Sequence, residues 1–194
     1  MNHTSWQHYL TIISDSAFDN HIVLDDNESA YHSFLVFANK KPTTCTISAQ
    51  LRGKKTLANI HIISFVCNQL PLHVDGNITI PQTWDQATGK LLEEVIILGE
   101  YSHTLTKPVL DIKNNNVSAS HGARIHRIDE TKLFYLRSRG LSESQAKEVV
   151  IAWMIHSLFE SNPIISVVDD NTCIHITNMD QYKDALVKQI VSNK

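Results

Sequence analysis

Cysteine is scarce in this chain, and the few cysteines are too far apart for two classes of small fold. The 194 residues include three cysteines, Cys45, Cys67 and Cys173, with no C-x-x-C pair among them. Disulfide frameworks and zinc knuckles need an even number of cysteines or closely spaced pairs. We therefore expect reduced thiols and neither of these scaffolds.

The content of charged residues of either sign is also low. Charged residues make up 19% of the chain, and 17 Lys and Arg against 20 Asp and Glu leave a net charge of −3. Because no positive excess would attract nucleic acid or an anionic membrane, we expect neither as a partner. The surface must be polar mainly through Asn, Ser, Thr and His, which favours strands and turns over exposed helices.

Long hydrophobic runs and a signal pattern are missing from the sequence. A membrane-spanning helix needs about 18 or more consecutive apolar residues, and no such stretch occurs. Residues 1–15 contain no Lys or Arg, and their longest apolar run, 9–13, is too short for a signal peptide. We therefore expect a cytoplasmic protein without a transmembrane helix.

Motifs of self-contained catalysis are absent as well. The patterns G-x-x-x-x-G-K-[ST], G-x-G-x-x-G and G-x-S-x-G do not occur. Among the 11 histidines, the close pairs His3/His8 and His121/His126 are five residues apart, unlike the H-x-x-x-H spacing of zinc enzymes. On a strand this spacing places the two side chains on opposite faces. The chain alone is not expected to be an enzyme.

Short apolar and β-branched runs dominate residues 33–121. Asn, Gly, Lys and Asp separate them without helical periodicity, and their centres recur roughly every 10 to 17 residues, as in an all-β domain. The runs are 34–37, 45–47, 60–66, 78–80, 95–98, 109–112 and 117–119.

A sandwich, a barrel and a solenoid all fit this pattern. Hairpins favour Asn-Gly or Asp-Gly turns, and the sequence has only Asp75-Gly76, inside a weak strand. Corners of a parallel β-helix use Asn, Gly and small polar residues, so the composition favours a solenoid. Candidate corner residues are Asn59, Asn68, Asn77 and 114–116.

The pattern becomes helical at Asp129, which can cap a first turn. An apolar stripe follows until Gly140, a residue type that commonly follows a helix end, and this predicts a short helix. A second helix begins with capping-box spacing between Ser142 and Gln145 and continues to about Leu158.

Two short strands and a last helix are predicted for the remaining residues. Pro163 ends the second helix, a turn at 169–171 separates strands at 164–168 and 173–177, and four-residue spacing predicts a helix at 179–191. The last segment is expected to cap a solenoid or cover a sheet edge. The predicted parts are a β-helix core at 1–128, a helical element at 129–160 and a tail at 161–194.

Two features of the helices admit more than one interpretation. Arg137 and Arg139 could clamp a phosphate, but cations that favour the helix dipole are the preferred interpretation. Trp153 and Met154 fit a packed core. With neighbouring isoleucines added, however, the apolar face is wider than one packing surface needs, which favours a partner surface.

Three motifs in the second half occur in a known order and spacing. They are K-P-V-L-D-I at 107–112, S-H-G-A at 120–123 and L-F-Y-L-R-S-R-G-L-S at 133–142. Together they resemble the carboxy-terminal signature of the SufB/SufD family of iron–sulfur cluster assembly proteins, over about residues 93–160. The H-V-D at 73–75 is similar to an upstream motif of that family.

The resemblance implies a mainly β fold, a right-handed parallel β-helix (solenoid) followed by a small C-terminal helical unit. Family members pair through the ends of their β-helices, as SufB does with SufD, and offer their terminal helices to the ABC-type ATPase SufC. Residues 129–160 would be that docking element here. The side chains expected at the ATPase contact are Leu133, Phe134, Tyr135, Leu136, Arg137, Arg139 and Trp153.

The resemblance also points to one assembly residue. In the family the S-H-G-A histidine is implicated in building the nascent cluster, so His121 is the candidate, and a neutral imidazole can ligate iron. Ala119 and Leu136 stand where family members carry cysteine, so neither position offers a thiolate. We expect no stably bound cofactor in the isolated chain and a transient iron–sulfur cluster in a complex.

These features lead to one main hypothesis and two alternatives. The chain is expected to be a SufD-like accessory subunit, not an enzyme, that works with a SufC-like ATPase and either a SufB-like subunit or a second copy of itself. The alternative is a structural or regulatory interaction protein without cluster chemistry. A β-helical polysaccharide hydrolase would need clustered carboxylates, and Asp111, Asp129 and Glu130 form no such cluster in the sequence.

Overall fold

Eleven strands and three helices form the described part of the computed structural model. The structure describes residues 7–38, 40–66, 69–83, 85–98, 103–161, 164–169, 172–175 and 179–192. The strands are β1 (Gln7–Ser14), β2 (Ala17–Leu24), β3 (Ser29–Phe37), β4 (Thr43–Leu51), β5 (Leu57–Val66), β6 (Leu72–Ile80), β7 (Thr88–Ile97), β8 (Thr104–Ile112), β9 (Ser118–Arg127), β10 (Ile164–Asp169) and β11 (Thr172–His175). The helices are α1 (Glu130–Ser138), α2 (Glu143–Ser161) and α3 (Met179–Ser192).

The strands form two sheets between which the chain alternates. A seven-stranded sheet has the order β11-β10-β1-β3-β5-β7-β9, and a four-stranded sheet has the order β2-β4-β6-β8. The pairs are parallel except for β10 with β11. Because successive strands alternate between the sheets, the chain winds into a solenoid of about four turns. The predicted parallel β-helix is confirmed, and the sandwich and barrel alternatives are wrong.

Every second residue of the central strands faces the space between the two sheets, which we call the lumen. In β6, for example, buried residues alternate with exposed or half-buried ones, as expected for a strand with one face in a core. Removing these side chains from water is the main favourable contribution to folding. The lumen core includes Phe34, Ile47, Ile60, Ile62, Val74, Ile78, Leu91 and Val95.

A second core covers the outer face of the seven-stranded sheet. There, strand residues such as Leu35 and Phe65 pack in one cluster with Ile151 and Ile155 of α2 and Leu186 of α3. This packing explains part of the broad apolar face of α2. None of the helices within the described ranges is long and apolar enough to cross a membrane.

The caps of α1 and α2 confirm the predicted helix starts. The Asp129 carboxylate accepts a hydrogen bond from the Thr131 backbone N–H at 2.9 Å. The Gln145 backbone N–H donates to the Ser142 hydroxyl at 3.3 Å, and the Ser142 N–H donates to the Gln145 side-chain oxygen at 2.8 Å. Gly140 has φ +96°, the left-handed conformation expected after a helix end.

The tail adds two strands and a helix, as predicted. β10 pairs with β1 in parallel, from Tyr9 opposite Ile164 to Ser14 opposite Asp169, and β11 follows as an antiparallel neighbour. This pairing covers the sheet edge that β1 would otherwise expose. Pro163, the predicted end of α2, lies outside the described residues.

Two strands precede the region in which strands were predicted. In β1, Ile13 lies in the lumen core and Leu10 and Ile12 lie in the outer core, so the strand does not alternate. In β2, the inward position opposite Ile47 is held by the polar Asn20. The sequence of β1 therefore lacks the alternation on which the prediction depended, and in β2 the polar Asn20 interrupts the inward apolar series.

The predicted corners at Asn59 and Asn77 are wrong, because both residues lie within strands, in β5 and β6. Left-handed backbone occurs instead at Asn27, Lys55 and Gln86, with φ of 63°, 56° and 62°. Their backbone N–H groups donate to carbonyls of the following turn. The candidate group 114–116 does lie at a corner, where the Asn116 carbonyl accepts a hydrogen bond from the Gln86 backbone N–H. Asn68 is outside the described residues.

Candidate functional site

The open end of the solenoid is formed by β8 and β9, the last strands of the two sheets. Their inward-facing side chains continue the lumen rows, but no later strand within the described ranges covers them. Two large apolar side chains are exposed as a result, with Ile112 39% and Ile125 58% accessible. An exposed apolar rim of this kind is typical of a surface that binds another protein.

His121 belongs to this open end. It lies opposite Leu91 in the parallel register, and Leu91 in turn lies opposite Ile60, so all three occupy one inward-facing row. His121 is exposed because its strand is the last in the sheet. His126, five residues later, lies on the outer face, where its Nε2 is 2.9 Å from Oε1 of Glu94. The predicted opposite orientation of these two histidines is confirmed.

The sequence analysis did not identify Glu93, which faces the lumen one strand away from the end. It lies between Ile62 and Ala123 in the register and is 1% exposed. The Thr106 hydroxyl of β8 donates to one carboxylate oxygen. The other, Oε1, is buried against the Gly76 backbone without a well-formed hydrogen bond.

Burial raises the pKa of the Glu93 carboxyl from 4.5 to about 7. Hydrogen bonds from Thr106 and the Gly76 backbone lower this pKa in part, and the charge of Asp75 raises it further. A carboxyl group that changes charge near neutral pH inside an apolar core is a candidate for a functional role. One signal was visible in the sequence, because Glu93 interrupts the inward series between Leu91 and Val95.

Of the three cysteines, Cys45 is the one whose side chain the structure describes, and it adds no ligand to this site. Cys45 is fully buried in the lumen core, and burial raises its pKa to about 12, which keeps it protonated. Cys67 lies outside the described residues, and Cys173 lies in β11. Among the residues that the structure describes, no three His, Cys, Asp or Glu side chains are arranged to hold a metal ion.

A second surface lies on the helices. An apolar cavity of about 560 Å³ opens between α1 and α2, and Phe134, Tyr135, Val149 and Trp153 are 73%, 56%, 45% and 66% exposed. Two cations lie over aromatic rings at its border. We call this surface the helical groove, and its lining residues are Thr131, Lys132, Tyr135, Leu136, Val149, Val150 and Trp153.

The structure separates the expected docking side chains into two groups. Leu133 is 4% exposed and belongs to the outer core, whereas Leu136 lines the groove. Arg137 and Arg139 are exposed, and the Arg139 guanidinium lies 5.3 Å from the centre of the Tyr135 ring.

We expect Leu133→Ala to lower the free energy of unfolding by about 2–4 kcal/mol, because it leaves a cavity in the outer core. Phe134→Ala at the adjacent exposed position should change it by less than about 0.5 kcal/mol. Urea denaturation followed by circular dichroism measures both values. Equal effects of the two variants would contradict the assignment of Leu133 to the core.

A family model for the SUF system FeS cluster assembly SufBD core domain matches residues 21–153. The chain belongs to the SufBD family. In this SufBD chain the match includes the open end, α1 and most of α2, and it ends before β10, β11 and α3.

Curated relatives of this SufBD chain have related names. The iron–sulfur cluster assembly protein SufD of Escherichia coli is 26% identical over 162 residues, 68% of this chain and 38% of the relative. A SufBD family protein of Synechocystis is 32% identical over 92 residues, 47% and 20% of the two chains. SufB of Bacillus subtilis is 33% identical over 81 residues, 42% and 17%. The aligned part is thus well under half the length of each of these relatives.

Proposed function

We propose that this chain is a SufD-like accessory subunit of an iron–sulfur cluster assembly scaffold. The open end carries the proposal, because it presents His121 next to an uncovered lumen with the exposed apolar residues Ile112 and Ile125. A partner solenoid stacked on this end would bury these side chains and bring its own ligands to His121. The partner is a SufB-like subunit or a second copy of this chain.

In this proposal His121 ligates iron of the nascent cluster through its imidazole, and the partner supplies the thiolate. Support comes from the chain's own residues, since Ala119 and Leu136 offer no sulfur and Cys45 is a buried thiol. A cluster is cargo here. It is held transiently in the complex and not by the isolated chain, which has no enzyme activity of its own.

The helical groove is the proposed docking site for a SufC-like ABC-type ATPase. Trp153 and Tyr135 are large exposed side chains of the kind that dominate binding energy at protein interfaces. The expected cytoplasmic location agrees with such a partner and remains a prediction.

The test is co-expression with a SufB-type subunit and a SufC-type ATPase from the same source. The complex is isolated by anaerobic size-exclusion chromatography, and bound iron and sulfide are measured. We expect a stable complex with cluster, and His121→Ala should reduce the cluster yield about tenfold or more without dissociating the complex. Ser120→Ala, at the exposed neighbouring position, is the matched control and should leave the yield unchanged.

A purely structural or regulatory role is the second candidate. The buried thiol of Cys45 favours it, as do Ala119 and Leu136 at positions where family members carry cysteine. It predicts a stable complex whose cluster yield does not depend on His121. Failure of the chain to bind either partner would contradict both candidates.

A further inference from the structure

Glu93 and His121 are close neighbours in the register of the last two strands of the seven-stranded sheet. His121 lies opposite Leu91, and Glu93 is two residues further along β7, opposite Ala123. Strand spacing and rise per residue place the two Cα atoms roughly 8 Å apart, with both side chains on the lumen side. At this separation an ion between the two side chains can contact a carboxylate oxygen of Glu93 and an imidazole nitrogen of His121.

The folded chain compensates the buried carboxylate of Glu93 only in part. Its carboxylate lies among apolar residues of the lumen core, where a buried charge is unfavourable unless it is paired and hydrogen-bonded. One oxygen accepts from Thr106, but Oε1 lacks a well-formed hydrogen bond. Within the folded chain the Glu93 carboxylate therefore has a single well-formed hydrogen bond. A cation bound from the side of β9 would compensate the charge of this carboxylate in the core.

Gly76 leaves the space that this carboxylate occupies. A Cβ added at Gly76 would overlap Oε1 of Glu93, so a side chain at this position would displace the carboxylate. On the other side, Ala123 contributes a single methyl group in the last strand. Only the final turn of the solenoid therefore separates Glu93 from the open end.

We propose that Glu93 is a second iron ligand of the open end, which binds ferrous iron together with His121. This proposal rests on the proposed function and extends it. A carboxylate oxygen with an imidazole nitrogen suits Fe²⁺ or Mn²⁺ better than soft ions such as Cu⁺. Two donors do not complete a coordination shell, so the partner stacked on the open end supplies the others.

The experiment measures metal binding directly and does not depend on cluster assembly. The full chain, alone and with its SufB-type partner, is titrated with Mn²⁺ while the free ion is followed by electron paramagnetic resonance, and anaerobically with Fe²⁺ by equilibrium dialysis. Glu93→Gln keeps the shape and can still accept from Thr106. We expect it to weaken binding of both ions about tenfold or more, as His121→Ala should.

Thr106→Val is the matched control, because it removes the hydrogen bond to Glu93 and keeps the carboxylate. If Glu93 only ties β7 to β8, Thr106→Val should weaken binding as much as Glu93→Gln, and the proposal is overturned. It is also overturned if wild type and Glu93→Gln bind Mn²⁺ and Fe²⁺ equally, or if neither binds. Ion binding that requires Glu93 in a chain that recruits no partner would support this site while refuting the proposed function.

Discussion

Trp153→Asp is expected to weaken binding of a SufC-type ATPase by about 100-fold or more. The indole is 66% exposed at the helical groove, with the Lys132 ammonium 5.5 Å from the ring centre. Truncating a central aromatic residue of an interface costs about 2–4 kcal/mol, and a carboxylate there would also have to lose its water on docking. Isothermal titration calorimetry of the purified ATPase with the chain measures the change.

The fold should survive this substitution, since the outer core is built from other side chains of α2, such as Ile151 and Ile155. Ile125→Asp at the open end provides the matched control. It should abolish pairing with the SufB-type subunit and leave ATPase affinity within about twofold, whereas Trp153→Asp should do the reverse. If both variants lose the ATPase, the groove and the open end are not separate docking surfaces.

The sequence contained enough to predict the repeating part of the fold. Strands with one face in the lumen alternate, as β6 does, and the caps at Asp129 and Ser142 mark the helix starts. The first two strands were not predicted, because β1 is buried on both faces and β2 carries the polar Asn20 at an inward position. Corners at Lys55 and Gln86 had no signal, since neither residue type favours left-handed backbone.

The candidate site was predictable only in part. His121 was found through its motif, whereas Glu93 and Glu94 look in the sequence like two solvent-exposed charges. The register separates them, since Glu93 faces the lumen and Glu94 contacts His61 and His126 on the outer face. Which of two adjacent carboxylates is buried depends on strand register, and a shift of one residue would exchange them.

Glu93 should also make the stability of the metal-free chain depend on pH. Its pKa is about 7 in the folded chain, against 4.5 without burial. Between these values the folded state holds a proton that the unfolded state has lost, so stability falls as pH rises. Above pH 7 the carboxyl is charged in both states, and the full loss is about 3 kcal/mol at ~1.4 kcal/mol per pH unit.

The measurement compares urea denaturation of wild type and Glu93→Gln from pH 5 to pH 8, with a chelator present. The variant should be increasingly more stable than wild type as pH rises, by a further 2–3 kcal/mol or so over this range. Subtracting the two stabilities removes the contribution of titrating groups that both chains share, such as His32. Burial lowers the pKa of His32 to about 4, so its contribution to stability rises with pH, opposite to that of Glu93. Parallel stability curves for the two chains would mean that the Glu93 carboxyl is already ionised in the folded state at pH 5, and that water or another partner reaches its buried oxygen.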